Sequence, residues 1–237
     1  MSRPPHTSRR DDILVAALAL FNIHGTASVS TNHIAQAAGV SPGNLYYWFD
    51  NKQQILRALF EKWRDESSFT LPSNAAADSM VNALFDSVPE QVDRTRRFAV
   101  FARELVPLLH TDATLAQIYR DNYDARVTMF SEVVAQLIRA GLFLQIDDKQ
   151  VRSLVQLTWI AMEFTPSFLA AIVGESPLTG MPLDGRSIES SESEKNTGVT
   201  EDHVHFEAAR IISAPLIALL TPAGHLALHN VYVKETL

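Results

Sequence analysis

The run Thr31-Asn32-His33-Ile34-Ala35-Gln36-Ala37-Ala38-Gly39-Val40-Ser41-Pro42-Gly43-Asn44-Leu45-Tyr46-Tyr47-Trp48-Phe49 decides the fold. It predicts two short helices, over residues 31–38 and 42–48, joined by a tight turn in a helix-turn-helix. Gly39 suits the left-handed conformation that ends the first helix. Val40 then plugs the angle between the helices, with Ile34, Ala35 and Leu45 inside. Ser41 is a good N-cap, and Pro42 fits the first helical position, where a backbone N–H has no partner anyway. The second helix so formed sets Gly43, Asn44, Tyr46, Tyr47 and Trp48 on or near its exposed side. Asn pairs with adenine edges, and backbone N–H groups or Tyr hydroxyls hold phosphates. Lys52, opening the next helix, adds a charged phosphate contact. Leu45 and Phe49 are core residues; two tyrosines and a tryptophan on so short a helix cannot all be buried.

Outward from this run the chain reads as helical. Ile13, Leu14, Ala17, Leu18 and Phe21 form one face of a first helix, with Ser8 as cap and Gly25 as stop. Further helices are expected over residues 52–67, 74–87, 89–109, 113–140, 149–173 and 203–220. Residues 175–202 gather Gly, Pro, Ser and Glu around Ser190-Ser191-Glu192-Ser193-Glu194 and read as a mobile loop. The fold class is all-α: an N-terminal three-helix head over residues 1–65 and a larger helical body over residues 66–237.

Composition narrows the function. The chain has 237 residues and a net charge of −7. Residues 1–65 hold seven Lys/Arg against five Asp/Glu, and the remainder thirteen against twenty-two, so only the head is a plausible phosphate-binding surface. With no cysteine there is no disulfide, thiol nucleophile or Cys-based zinc site, which fits a reducing cytoplasm. No phosphate-binding glycine loop, Gly-x-Ser-x-Gly or His-Glu-x-x-His motif is present, so no enzyme and no cofactor are expected. His225 and His229 share a helical spacing but lack a clear third ligand; His203 and His205 are near only in sequence, and no metal is expected. The apolar run from Leu154 to Val173 carries Glu163 near its centre and reads as a buried or interface helix rather than a membrane span.

The head resembles the TetR (tetracycline-repressor) family of transcription regulators. The likeness lies in Arg10-Asp11-Asp12-Ile13-Leu14, Ala17, Leu20-Phe21 and Gly25, in the whole run from Thr31 to Phe49, then in Asn51-Lys52 and Ile55-Leu56. The resemblance implies that Thr31, Ser41, Pro42, Gly43, Asn44, Tyr46, Tyr47, Trp48 and Lys52 face DNA, and that Arg3, Arg9 and Arg10 lie near its backbone. Two positions depart from the family pattern: Trp48 stands where histidine is usual, and Pro42 where a basic residue is common. The stretch from Arg97 to Leu109, with Tyr119, Asn122, Arg126 and Gly141-Leu142, is similar to one branch of the family.

The family likeness implies a small-molecule effector in the body and a homodimer through the last two long helices, residues 149–173 and 203–220. Phe98, Phe101, Met129, Phe130, Trp159, Met162 and Glu163 are candidate effector-lining residues. Any single one of the apolar residues among them is more often core than lining. Glu163 is expected to pair with an arginine such as Arg103 or Arg126, to contact an effector, or to lie on a helix surface. The function implied is a dimeric repressor released from a palindromic double-stranded DNA operator by a small effector. The alternative is an activator, or a regulator gated by a protein partner. The fourth helix, with Phe60 and Trp63 toward the body, is the expected link between the two parts.

Overall fold

The computed structural model describes residues 9–66, 76–173 and 201–228. Among the described residues there are ten helices: α1 (Arg9–Ser28), α2 (Thr31–Ala37), α3 (Pro42–Trp48), α4 (Lys52–Glu66), α5 (Ala77–Arg97), α6 (Ala99–Thr111), α7 (Ala113–Arg139), α8 (Asp148–Val173), α9 (Glu201–Ile217) and α10 (Pro222–Ala227). The only pairing of strand type among them is an isolated bridge between Phe143 and Leu220.

Local chemistry sets the head. The apolar face of α1 is buried at Ile13, Leu14, Ala17, Leu18 and Phe21, and its regular course is interrupted at Gly25, with φ 74° and ψ 162°. Ser30 caps α2 in a reciprocal box: its hydroxyl accepts from the His33 backbone N–H, while His33 Nδ1 accepts from the Ser30 N–H. Gly39 takes φ 63°, and Ser41 caps α3 by accepting from the Asn44 N–H at 3.2 Å, with Pro42 in the first turn. The expected turn chemistry is present residue for residue. The Ser8 cap and Arg3 lie outside the described residues.

The body differs from expectation at three places. A break was expected between residues 87 and 89, yet α5 runs through Pro89 and ends at Phe98, where φ is −107° and ψ 42°. Pro89 costs one helical N–H, but Phe85, Val88 and Val92 around it are buried, and that packing holds the helix together. The break falls at Phe98 because Asn22 of α1 satisfies both backbone groups that it frees. Asn22 Nδ2 donates to the Arg97 carbonyl at 2.8 Å, and Asn22 Oδ1 accepts from the Val100 N–H at 2.9 Å. Second, α10 was not expected, although Thr221-Pro222 carries its start signal: Thr221 caps it by accepting from the Gly224 N–H. Third, α9 begins at Glu201, so the final two residues of the expected 175–202 loop are helical. Residues 175–200 lie outside the described residues.

One buried cluster joins Ile13, Phe21, Leu45 and Phe60 of the head to Phe98, Phe101, Leu105 and Leu115 of the body. A second lies among α5, α7, α8, α9 and α10, and a third couples Val88 and Val92 to Ala208, Ala209 and Ile212. The sequence boundary near residue 65 is therefore not a packing boundary. Side chains are close-packed from α4 and α6 into the head.

Candidate nucleic-acid interface and body cleft

On the head, Leu45 is fully buried beneath α3 and Phe49 nearly so, which turns the other face of α3 outward. Ser41, Pro42, Gly43 and Asn44 are exposed there, with Tyr46, Tyr47 and Trp48 beside them. Tyr47 is 79% exposed, the most prominent aromatic of the head. Its ring meets Trp48 edge-on at 5.1 Å, and the Tyr46 hydroxyl lies 3.0 Å from Thr31 Oγ1. Eight of the nine expected residues thus form one surface of α2 and α3. Lys52 is placed differently from a free cation. Its ammonium donates to the Thr26 carbonyl at 2.6 Å and the Val29 carbonyl at 3.0 Å, fastening the end of α1 and the turn into α2. One of its three N–H groups is left for a phosphate. Arg10 sits over the Phe49 ring at 5.3 Å.

Behind this surface a polar clamp ties α1 to α6. The Glu104 carboxylate accepts from the Thr26 N–H and, at 2.6 Å, from the Thr26 hydroxyl. Arg103 donates to the Asn22 carbonyl at 2.6 Å and the Phe21 carbonyl at 3.3 Å. Arg57 of α4 makes a two-pronged ion pair with Asp112, which also caps α7 by accepting from the Thr114 and Leu115 N–H groups. Burial works to raise the Asp112 carboxyl, but Arg57 and those N–H groups outweigh it and hold it below the usual carboxylate range. Phe60 and Trp63 do face the body: their rings lie 5.5 and 5.9 Å from that of Phe101. The aromatic link was expected from sequence; the clamp of Asn22, Thr26, Arg103 and Glu104 was not.

In the body six of the seven candidate lining residues divide between two narrow clefts. Phe98, Phe101 and Glu163 line one with Trp63, Thr95 and Phe164. Phe130, Trp159 and Met162 line the other with Leu84, Val134 and Val155. Met129 lines neither. Glu163 is 8% exposed and does not pair with Arg103 or Arg126, contrary to the first expectation for it. Arg103 reaches α1, and Arg126 reaches the Arg64 carbonyl at the end of α4. Glu163 Oε2 instead accepts from the Tyr119 hydroxyl at 2.7 Å, and that hydroxyl accepts from the Trp159 indole N–H at 3.1 Å. Glu163 Oε1 has no hydrogen-bond partner.

Burial, opposed by the donors Tyr119 and Trp159, pushes the Glu163 carboxyl from 4.5 up to about 7. A carboxyl raised on folding binds its proton more tightly in the folded state. Its contribution to stability is therefore full below the unfolded value of 4.5 and is lost as pH rises through about 7. Across that window the loss amounts to about 3 kcal/mol, at about 1.4 kcal/mol per pH unit. Glu163→Gln is accordingly expected to melt higher than wild type at pH 8 and to flatten the decline in Tm between pH 5 and 8. An unchanged decline in thermal melts would contradict the assignment.

Along α8, Leu157, Ile160, Phe164, Phe168 and Ile172 follow one another at helical spacing and are each 40–63% exposed. Together they form an apolar stripe. No described helix is long and apolar enough to cross a membrane. Among the described residues no three His, Asp or Glu side chains gather as a metal site, and His229 lies outside them.

Residues 13–59 match the sequence profile of bacterial regulatory proteins of the tetR family, and residues 66–180 match one described as bacterial transcriptional repressor. The chain is 32% identical over 90 residues to the HTH-type transcriptional repressor KstR2 of Rhodococcus jostii, covering 35% of this chain and 44% of that protein. It is 35% identical over 80 residues to the HTH-type transcriptional regulator BetI of Rhizobium meliloti, covering 32% and 39% respectively. These two alignments span less than half the length of either relative. The structure superposes on that of a TetR-family transcriptional regulator from Marinobacter aquaeolei with a TM-score of 0.70 and 23% identity, covering 97% of this chain and 98% of the other.

Proposed function

The chain belongs to the TetR family of bacterial transcriptional regulators, and from that premise we propose that it is a cytoplasmic homodimeric repressor, released from a palindromic operator by a small-molecule effector. The observation that carries this reading is the surface of α3. Asn44, Tyr47 and Trp48 stand exposed on a helix whose angle is fixed by buried Leu45 and the Ser41 cap. In a dimer the two copies of α3 enter successive major grooves about 34–36 Å apart, which is why the operator is expected to be palindromic. Asn44 reads a base edge, while Thr31, Tyr46, Tyr47 and the remaining Lys52 donor hold phosphates.

Pairing of α8 and α9 with those of a second copy buries the apolar stripe, which a monomer would leave in water. The effector acts through the body clefts. Both are narrow, so a ligand that enters must part their walls, and those walls include Trp63 of α4 and Phe101 of α6. Moving α6 pulls on α1 through Glu104 and Arg103, and α1 carries the head. The ligand shifts the population only by the difference between its affinities for the two arrangements. The resemblance of the matched segment to a repressor in Rhodococcus jostii supports repression over activation.

The test is a mobility shift with operator DNA from the region upstream of the gene. Asn44→Ala is expected to weaken binding by about 1–3 kcal/mol, or about five- to 150-fold, and to relax discrimination at one base pair of each half-site. Tyr47→Phe is expected to weaken binding on every sequence alike, since its hydroxyl serves a phosphate. Undiminished binding by Asn44→Ala would take α3 out of the groove.

A further inference from the structure

We propose that the cleft between α4, α5, α6 and α8, which has free room of only about 10 Å³ and must part its walls to admit a ligand, takes an organic cation, a protonated amine whose N–H bonds Glu163 Oε1 while its charge sits among the aromatic walls. The assignment rests on the effector reading above and names the chemical class of the ligand. Its foundation is the unpartnered Oε1 in a side chain 92% removed from water. Leaving a carboxylate oxygen unsatisfied in an apolar cleft is costly. An amine supplies both the missing hydrogen bond and the missing charge. Trp63, Phe98, Phe101 and Phe164 supply the walls, and aromatic rings hold a cation through their quadrupoles where aliphatic walls do not. The neighbouring cleft lacks this chemistry: its one hydroxyl, Thr158, is already spent on the Leu154 carbonyl.

The groups facing Glu163 leave it the only acid in the cleft. Trp63 comes from α4, Thr95 from α5, Phe98 from the break between α5 and α6, and Phe101, Ala102 and Leu105 from α6, none of them titratable. From α7 comes Tyr119, whose phenol is held well above its usual range by burial and by Glu163, so it stays protonated and donates.

Binding of a cation requires the ionised carboxylate, so a ligand charged at every pH tested binds better as Glu163 loses its proton. A ligand offering only an acceptor shows the reverse. The experiment is calorimetric titration of the full chain with three probes on one phenethyl frame: phenethylammonium, phenethyl alcohol and hydrocinnamate. Phenethylammonium is expected to bind at least about tenfold more tightly than the other two, as a charge-assisted bond in a dry site demands. With Glu163 titrating near 7, its affinity is expected to rise about tenfold from pH 6 to pH 8. Glu163→Gln is expected to lose that preference and the pH dependence together. Tyr119→Phe removes the donor to Oε2 and is expected to displace the rise to higher pH, a readout that remains if Glu163→Gln fails to fold.

Equal affinity for the three probes, an affinity that falls with pH, or failure of phenethylammonium to bind overturns the assignment. Operator binding measured without probe on the same preparation separates the two readings. A chain that holds its operator but ignores the cation refutes the ligand class alone; one that does not hold an operator refutes the regulator.

Discussion

Gly25→Ala is expected to lower Tm by about 5–10 °C and to weaken operator binding, although Gly25 lies in α1, outside the exposed surface of α2 and α3. Two costs combine at this position. With φ 74° and ψ 162°, Gly25 occupies a region open almost only to glycine, so any side chain adds about 1–3 kcal/mol of backbone strain. A Cβ there would also stand 2.8 Å from Glu104 Oε1. Glu104 must then move, and with it go the bonds to the Thr26 N–H and hydroxyl. Thr26 in turn offers its carbonyl to Lys52, so the disturbance reaches the mounting of α2. The double variant Gly25→Ala/Glu104→Ala relieves the collision but not the strain, and is expected to recover only part of the loss in a thermal melt. A Gly25→Ala protein that melts and binds like wild type would mean that the α1–α6 clamp does not position the head.

Ile160→Asp/Phe168→Asp is expected to convert the dimer to a monomer and to reduce operator affinity by about a hundredfold or more. Both side chains lie on the exposed stripe of α8, at 54% and 60% exposure, and neither belongs to the buried clusters. The substitutions should therefore spare the fold of the subunit while placing carboxylates in an apolar interface. The loss of affinity follows from linkage: two half-site contacts made together exceed either alone by about 10²–10⁴, and a monomer forfeits that factor. Light scattering after gel filtration reports the mass, and a mobility shift on the same fractions reports the affinity. A dimer that survives both substitutions would move the interface off the α8 stripe.

What was legible in the sequence is what depends on near neighbours. Gly39, Ser41 and Pro42 each act within one turn of chain, and their turn, cap and helix start stand where their chemistry requires. The aromatic link was legible for the same reason, since Phe60 and Trp63 share a face by helical spacing. The break at Phe98 was not, because the side chain that makes it affordable, Asn22, is 75 residues away in sequence. Pro89 looked like a boundary, and packing of Phe85, Val88 and Val92 overrode it. Lys52 was legible as a cation at the right place, but the two carbonyls it holds come from α1 and the following turn. Glu163 was legible as a buried acid in need of a partner. That the partner is Tyr119 rather than an arginine depends on how α7 crosses α8, which no local pattern records. The candidate cleft residues other than Glu163 were recognisable as apolar, yet their division between two clefts depends on how the body helices cross.

The central claim is that a dimer of this chain reads a palindrome through α3, and its most direct test is a mobility shift of the full chain on fragments of its own upstream intergenic DNA across a salt series. The account predicts tight binding to one palindromic fragment, with affinity falling steeply as salt rises because phosphate contacts release counterions. Equal, weak binding to every fragment at every salt concentration would contradict it.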